Sequence, residues 1–182
     1  MDKFHKNEEA NAVYVKTERL ELKAIGPESL EPLVELLTDE TVKQSYMIPD
    51  FPDRAAVETL ARRLMDLGKE RIVAGIYLDG ELVGILNETE ILADSVELGY
   101  AVLPRFHNRG ICTEALTGAI GWCLENGFRE VICGAFEGNR ASFRVMEKSG
   151  MKLLERTDEI EYRGKTYLCR YYGIEKENVS LK

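Results

Sequence analysis

The segment Arg105-Phe-His-Asn-Arg-Gly-Ile-Cys-Thr-Glu-Ala115 joins an alternating apolar run ending at Leu103 to a long amphipathic run ending near Glu125. A strand that feeds a helix through so short a turn commits the chain to helices layered on a sheet. The turn is also a place to hold an anion. The first amides of a helix have no partner inside it and point outward at its positive end. A phosphate placed there gains several N–H donors at once. Gly110 permits a positive φ and close backbone approach. Arg105 and Arg109 add positive charge, and so does His107 when protonated.

The chain has 182 residues, which suits a single domain with one sizeable core. No apolar run approaches the roughly 20 residues that span a bilayer, so no membrane partner is expected. The first residues, Met1-Asp-Lys-Phe-His-Lys, carry no apolar signal region, and a cytoplasmic location is expected. Cys112, Cys123, Cys133 and Cys169 show no C-x-x-C pair and read as free thiols. With only two histidines, no metal site is expected. The net charge of −8 argues against a nucleic-acid partner and weakly favours a cationic one.

Residues 1–12 are polar and expected to fray, leaving one domain over 13–182. Leu20 and Leu22 alternate with charged residues as a strand. A helix follows through Leu33, Val34, Leu36 and Leu37, then a loop from Tyr46 to Asp53. Asp53 is placed to cap a helix whose apolar stripe is Val57, Leu60, Ala61, Leu64 and Leu67. Asp79-Gly80 between two apolar runs predicts a hairpin. Strands are expected at 96–103 and 131–135, each followed by a helix, at 110–125 and 140–149. Strands at 152–156, 160–162 and 166–174 close the chain, the last two joined by a turn at Arg163-Gly164-Lys165. The fold class is therefore α/β (α+β), a mixed central sheet flanked by helices.

In this order the residues carry a family pattern. Glu97-Leu-Gly-Tyr-Ala-Val-Leu-Pro104, His107-Asn-Arg-Gly-Ile-Cys-Thr-Glu-Ala115, Asn139-Arg-Ala-Ser142 and Val145-Met-Glu-Lys-Ser-Gly-Met151 resemble the GNAT N-acetyltransferase superfamily. Within it they look most like the ribosomal-protein N-terminal acetyltransferase (RimJ/RimL) branch. The resemblance spans roughly 17–176. His107 stands where the family has Gln or Arg, and Cys112 where it has a small residue. The resemblance implies acetyl-CoA as co-substrate and a primary amine as acceptor, either a protein N-terminus or a small molecule. It implies a diphosphate site over His107, Asn108, Arg109, Gly110, Ile111, Cys112 and Thr113. It implies pantetheine contacts at Ala101, Val102 and Leu103, with a β-bulge there, and at Asn139 and Ser142. Tyr46 falls where relatives build the acceptor pocket.

Acetyl transfer to an amine needs a proton acceptor, because alkylamines are mostly protonated at neutral pH. Glu97 is the candidate base, acting directly or through water. It shares a strand face with Gly99 and Ala101, small residues that leave room for a ligand. Its other reading is a solvated or arginine-paired glutamate. Ser142 is the candidate acid for the leaving thiolate, with Tyr172 or Tyr167 as alternatives. Asn139 is equally a plain helix cap. A covalent acetyl-Cys112 route lacks a third orienting residue. A non-catalytic acyl-CoA-binding module on the same fold is the alternative function. The missing Gly-Lys-Ser/Thr ending argues against a P-loop. Oligomeric state stays open, a homodimer included.

Overall fold

The computed structural model describes residues 13–68 and 71–178; the segment 1–12 expected to fray lies outside them. The chain runs β1 (Val13–Lys16), β2 (Leu20–Lys23), α1 (Leu30–Thr38), α2 (Glu40–Tyr46), α3 (Arg54–Leu67), β3 (Val73–Leu78), β4 (Glu81–Leu92) and β5 (Ser95–Val102). It continues through α4 (Ile111–Glu125), β6 (Glu130–Phe136), α5 (Arg140–Lys148), β7 (Lys152–Tyr162) and β8 (Lys165–Glu175). The described strands form one sheet in the order β1-β2-β3-β4-β5-β6-β8-β7. Every neighbouring pair is antiparallel except β5 with β6.

Local signals place the elements where expected. Asp79 and Gly80 both take positive φ, the pairing that a two-residue hairpin turn demands. Asp53 caps α3 by accepting from the Ala56 N–H at 2.9 Å. Arg163 and Gly164 form a second left-handed turn between β7 and β8. Three features differ from expectation. β1 precedes the first expected strand and pairs with β2. The segment before Tyr46 is helical, as α2, capped by Asp39 accepting from the Val42 N–H. The strands expected at 152–156 and 160–162 are one strand, broken by an irregular register between Leu153 and Thr157.

Alternation along β5 decides what each face of the sheet meets. Val96, Leu98 and Tyr100 point to one face. There α5 lies, since the Tyr100 hydroxyl reaches Ser142. Val96, Leu98, Ala115, Leu116, Ile120, Val131 and Cys133 belong to one buried core. Glu97, Gly99 and Ala101 point to the opposite face. α2 covers that face, because a Cβ on Gly99 would lie 3.2 Å from the Tyr46 ring. Leu116 is fully buried on α4. Leu116→Ala should therefore lower unfolding stability by about 2–5 kcal/mol. Urea denaturation followed by circular dichroism measures this, and a loss near zero would contradict the packing of α4 on the sheet.

Candidate active site

The site begins where two strands part. β5 and β6 pair only through Ser95–Glu97 and Glu130–Ile132. Beyond that, β5 continues along β4 to Val102, and β6 continues along β8 to Phe136. A wedge opens between them with Glu97 at its apex. Each arm runs into a helix start, α4 after β5 and α5 after β6, so both helix N-termini lie at the wide end.

Hydrogen-bond direction shows which backbone groups line the wedge. The Leu103 N–H donates to the Val83 carbonyl at 2.9 Å. Bonding direction alternates along an antiparallel strand. Ala101 and Gly99 therefore also turn toward β4, while Leu98, Tyr100 and Val102 turn their N–H and C=O groups toward β6. This corrects two expectations. Of Ala101, Val102 and Leu103, only Val102 presents backbone to the wedge, and Tyr100 joins it. No bulge lies at Ala101–Leu103, because the pairs from Asn87–Gly99 to Gly84–Val102 are regular. The register shift is on β4 between Glu88 and Glu90, and it sends Thr89 toward the apex. There the Thr89 hydroxyl donates to Glu97 Oε1 at 3.1 Å. Aiming a side chain in this way is a common use of a bulge.

At the mouth of α4, Asn108 and Gly110 both adopt left-handed backbone, with φ of 60° and 77°. The bends leave the Ile111, Cys112 and Thr113 amides as the first turn of the helix, with no backbone partner among the described residues; the first ladder bond is Glu114 N–H to Gly110 O. His107 folds its ring back, with Nε2 donating to the Val102 carbonyl at 2.8 Å. Val102 O faces the wedge, so His107 satisfies it there. Arg105 does not serve the mouth as expected. Its guanidinium pairs with Glu35 and Glu81. Arg109 lies over the Phe106 ring, 5.4 Å from its centroid. Arg19, which the sequence did not single out, reaches the mouth instead. It donates to the Arg109 carbonyl at 3.1 Å and pairs with Glu114 at 2.6 Å. Thr17 and the Arg19 N–H also donate to Glu114. Burial opposes the Glu114 charge, but these bonds from Thr17 and Arg19 prevail and hold its carboxyl below the usual range. The carboxylate beside the anion mouth is thus turned away and neutralised.

On the α5 side, Asn139 caps the helix by accepting from the Ser142 N–H at 3.1 Å. The Tyr100 hydroxyl lies 3.3 Å from the Ser142 carbonyl and 3.5 Å from its Oγ. Tyr100 was missed as a site residue. Its signal was a phenol on an otherwise apolar strand face, where a buried hydroxyl must find a partner. Burial, above all, raises its pKa, so it keeps its proton. The two tyrosine alternatives have contacts of their own. Tyr172 packs on Phe143 and donates to Glu147 at 3.2 Å. Tyr167 stacks on Phe136 on the opposite face, with ring centroids 4.5 Å apart.

On the Glu97 face, Tyr46 lies against Gly99 and donates to Asn87. Burial of the phenol raises its pKa. Glu97 is not free. Arg156 Nη1 donates to Glu97 Oε2 at 3.1 Å, so its arginine-paired reading is realised. The tip of the β7–β8 hairpin reaches α2 across this face. The Tyr162 hydroxyl contacts the Lys43 and Ile48 carbonyls, and Arg163 pairs with Glu40 and Asp50.

Cys112 is half-buried, and burial pushes its thiol from 9.0 up to about 11. Its thiolate fraction at neutral pH is then about a hundredfold below that of an ordinary cysteine, which disfavours a covalent acetyl-cysteine route. Alkylation of Cys112 by iodoacetamide, mapped by mass spectrometry, should be slow at pH 7. It should accelerate as pH rises toward the thiol's raised pKa. Labelling at pH 7 as fast as a free peptide thiol would contradict this environment.

Comparison with known proteins places this geometry. Residues 19–152 match the acetyltransferase (GNAT) domain family. Among solved structures, a GNAT-family acetyltransferase from Bacillus anthracis superposes with a TM-score of 0.79 at 22% identity, covering 90% of this chain and 98% of its own. RimL, a ribosomal L7/L12 alpha-N-protein acetyltransferase, in complex with coenzyme A gives 0.78 at 18% identity, covering 92% and 100%. MccE, a microcin C7 self-immunity acetyltransferase in complex with acetyl-CoA and AMP, gives 0.76 at 16%, covering 87% and 93%. With the family match covering most of its length and the same fold throughout, the chain belongs to the GNAT acetyltransferase family.

Proposed function

We propose that the protein transfers the acetyl group of acetyl-CoA to a primary amine, by direct attack in a ternary complex, as a member of the RimJ/RimL-like branch. The observation that carries this reading is the wedge, with free helix amides at its wide end and a carboxylate at its apex. The Ile111, Cys112 and Thr113 amides suit the diphosphate, and Asn108, Arg109 and Gly110 form the bend that exposes them. The backbone of Tyr100 and Val102 suits the pantetheine arm, which would add to β5 as a further strand. His107 then has to share the Val102 carbonyl with the arm or swing away from it. A Tyr100 or Val102 N–H then polarises the thioester carbonyl. Asn139 and Ser142 border the same end from α5.

Glu97 takes the proton of the incoming ammonium, directly or through water. Ser142 Oγ, beside the protonated Tyr100, gives its proton to the departing thiolate as the C–S bond breaks and regains one, directly or through water, from the protonated nitrogen of the tetrahedral adduct. Tyr46 walls the acceptor side. The neighbouring RimL acts on a ribosomal protein, which supports a protein N-terminus as acceptor here; a small-molecule amine fits the same chemistry. No metal takes part in the scheme. One observation favours the non-catalytic alternative, an acyl-CoA-binding module: both Glu97 oxygens already have partners.

An acceptor screen that follows free-thiol release from acetyl-CoA separates the two. Turnover on any amine supports the enzyme, and binding with no turnover on a broad panel supports the module. Gly110→Val should weaken coenzyme A binding by about tenfold or more in calorimetry, since a side chain strains left-handed backbone. Unchanged affinity would remove the diphosphate from the α4 mouth. Glu97→Gln should lower kcat by about a hundredfold with acetyl-CoA affinity unchanged. Equal turnover would take Glu97 out of the reaction.

A further inference from the structure

Arg156 arrives at the apex from three strands away. β7 carries extra residues between Leu153 and Thr157, opposite the short step from Tyr172 to Arg170 on β8. This irregularity lifts the Arg156 side chain over the sheet. Its guanidinium lies on the Tyr171 ring, 3.8 Å from the centroid. From there Nη1 reaches Glu97 at 3.1 Å, while Nε and Nη2 both reach Asp158 Oδ2 at 3.3 Å. Glu90 lies at 4.0 Å. The Glu97 side chain is 17% exposed and that of Arg156 36%, so the arginine stands between the carboxylate and solvent.

We propose that Arg156 is a specificity-determining stand-in for the acceptor: it holds the ammonium position beside Glu97 until a cationic amine displaces it. The inference rests on the acetyltransfer reading above and adds to it a residue that gates the acceptor. An alkylammonium brings one positive charge and up to three donors, so its exchange for the guanidinium leaves Glu97 compensated. Arg156 loses its Nη1 bond. The guanidinium is rigid, so it leaves by pivoting about Asp158, whose oxygen can keep a bond to it while Nη1 swings off Glu97. A partly exposed ion pair is weakly held, which makes the exchange feasible. An amine with no charge cannot replace the guanidinium on equal terms, so the device favours acceptors that arrive protonated.

The test uses Arg156→Met, which keeps an apolar stem on Tyr171, and Arg156→Lys, which keeps the charge. For an amine turned over by the wild-type protein, the methionine variant should show an acceptor KM about fivefold lower, equivalent to ~1 kcal/mol. Its KM for acetyl-CoA should not move, and the lysine variant should return the acceptor KM to the wild-type value. A merely structural arginine predicts the opposite sign, and an acceptor KM that is unchanged or raised overturns the proposal. Crystals of Arg156→Met soaked in propylammonium give a reading that needs no turnover. The probe's nitrogen should lie within hydrogen-bonding distance of Glu97, and its absence there also overturns the proposal. Calorimetry of acetyl-CoA on the unaltered protein reports on the underlying function separately. Protein that binds no acetyl-CoA refutes that function, whereas normal binding with an unmoved acceptor KM refutes only the role of Arg156.

Discussion

The candidate site depends on two parallel strands that stop pairing. Buried backbone N–H and C=O groups are costly to leave without partners, so a sheet normally closes its ladders. Here β5 and β6 part after Glu97 and Ile132, yet neither is loose. The outer edge of β5 stays bonded to β4 as far as Val102, and that of β6 to β8 as far as Phe136. The inner edges are thus held apart by rigid neighbours, and their polar groups are left for water, side chains or a ligand. His107 already answers one of them, the Val102 carbonyl. A pantetheine arm, with its own amides, has the chemistry to answer others.

Charge at the wide end is arranged to keep that opening positive. A glutamate in the first turn of α4 would compete with a phosphate for the same amides. Glu114 is instead drawn toward the β1–β2 connection by Thr17 and Arg19. Arg19 in turn reaches the Arg109 carbonyl, so the same side chain that neutralises Glu114 also ties the bend before Gly110. Arg105, closer in sequence, is taken by Glu35 and Glu81 and anchors the turn to α1 and β4. Proximity along the chain was the wrong guide to which arginine serves the mouth.

That contrast marks what the sequence could disclose. Features set by a few adjacent residues were legible: the Asp79-Gly80 turn, the Asp53 and Asn139 caps, the glycine before α4. Their physics is local, and their signals are residue types at fixed offsets. Glu97 and Ser142 were also legible as candidates, through alternation and the family pattern. Features set by distant pairing were not. Glu-Thr-Val-Lys-Gln-Ser-Tyr has no strong apolar stripe, and α2 is held at Glu40 and Lys43 by Arg163 and Tyr162, more than a hundred positions along the chain. The register shifts that aim Thr89 and Arg156 at Glu97 leave no mark in either strand alone. Which β5 amides face the wedge depends on the phase of the β4 ladder, and that phase appears only once Val83 is seen to accept from Leu103.

The sheet face that carries Glu97 shows the same dependence on distant contacts. Gly99 lacks a side chain where Tyr46 lies, and that absence lets the end of α2 settle onto β5 beside Glu97. The residues that follow Tyr46 supply the Ile48 carbonyl and the Asp50 carboxylate that receive the β7–β8 hairpin tip. The same hairpin carries Arg156 back to Glu97. Gly99, Tyr46, the hairpin tip and Arg156 therefore form a closed circuit around the apex carboxylate. Because the circuit is closed, a larger residue at position 99 acts on Glu97 twice, directly by crowding the strand and indirectly by shifting the α2 end that receives the hairpin. On the acetyl-transfer reading proposed above, acceptor selectivity would belong to the circuit rather than to any one wall, and it would change without touching the amides at the α4 mouth.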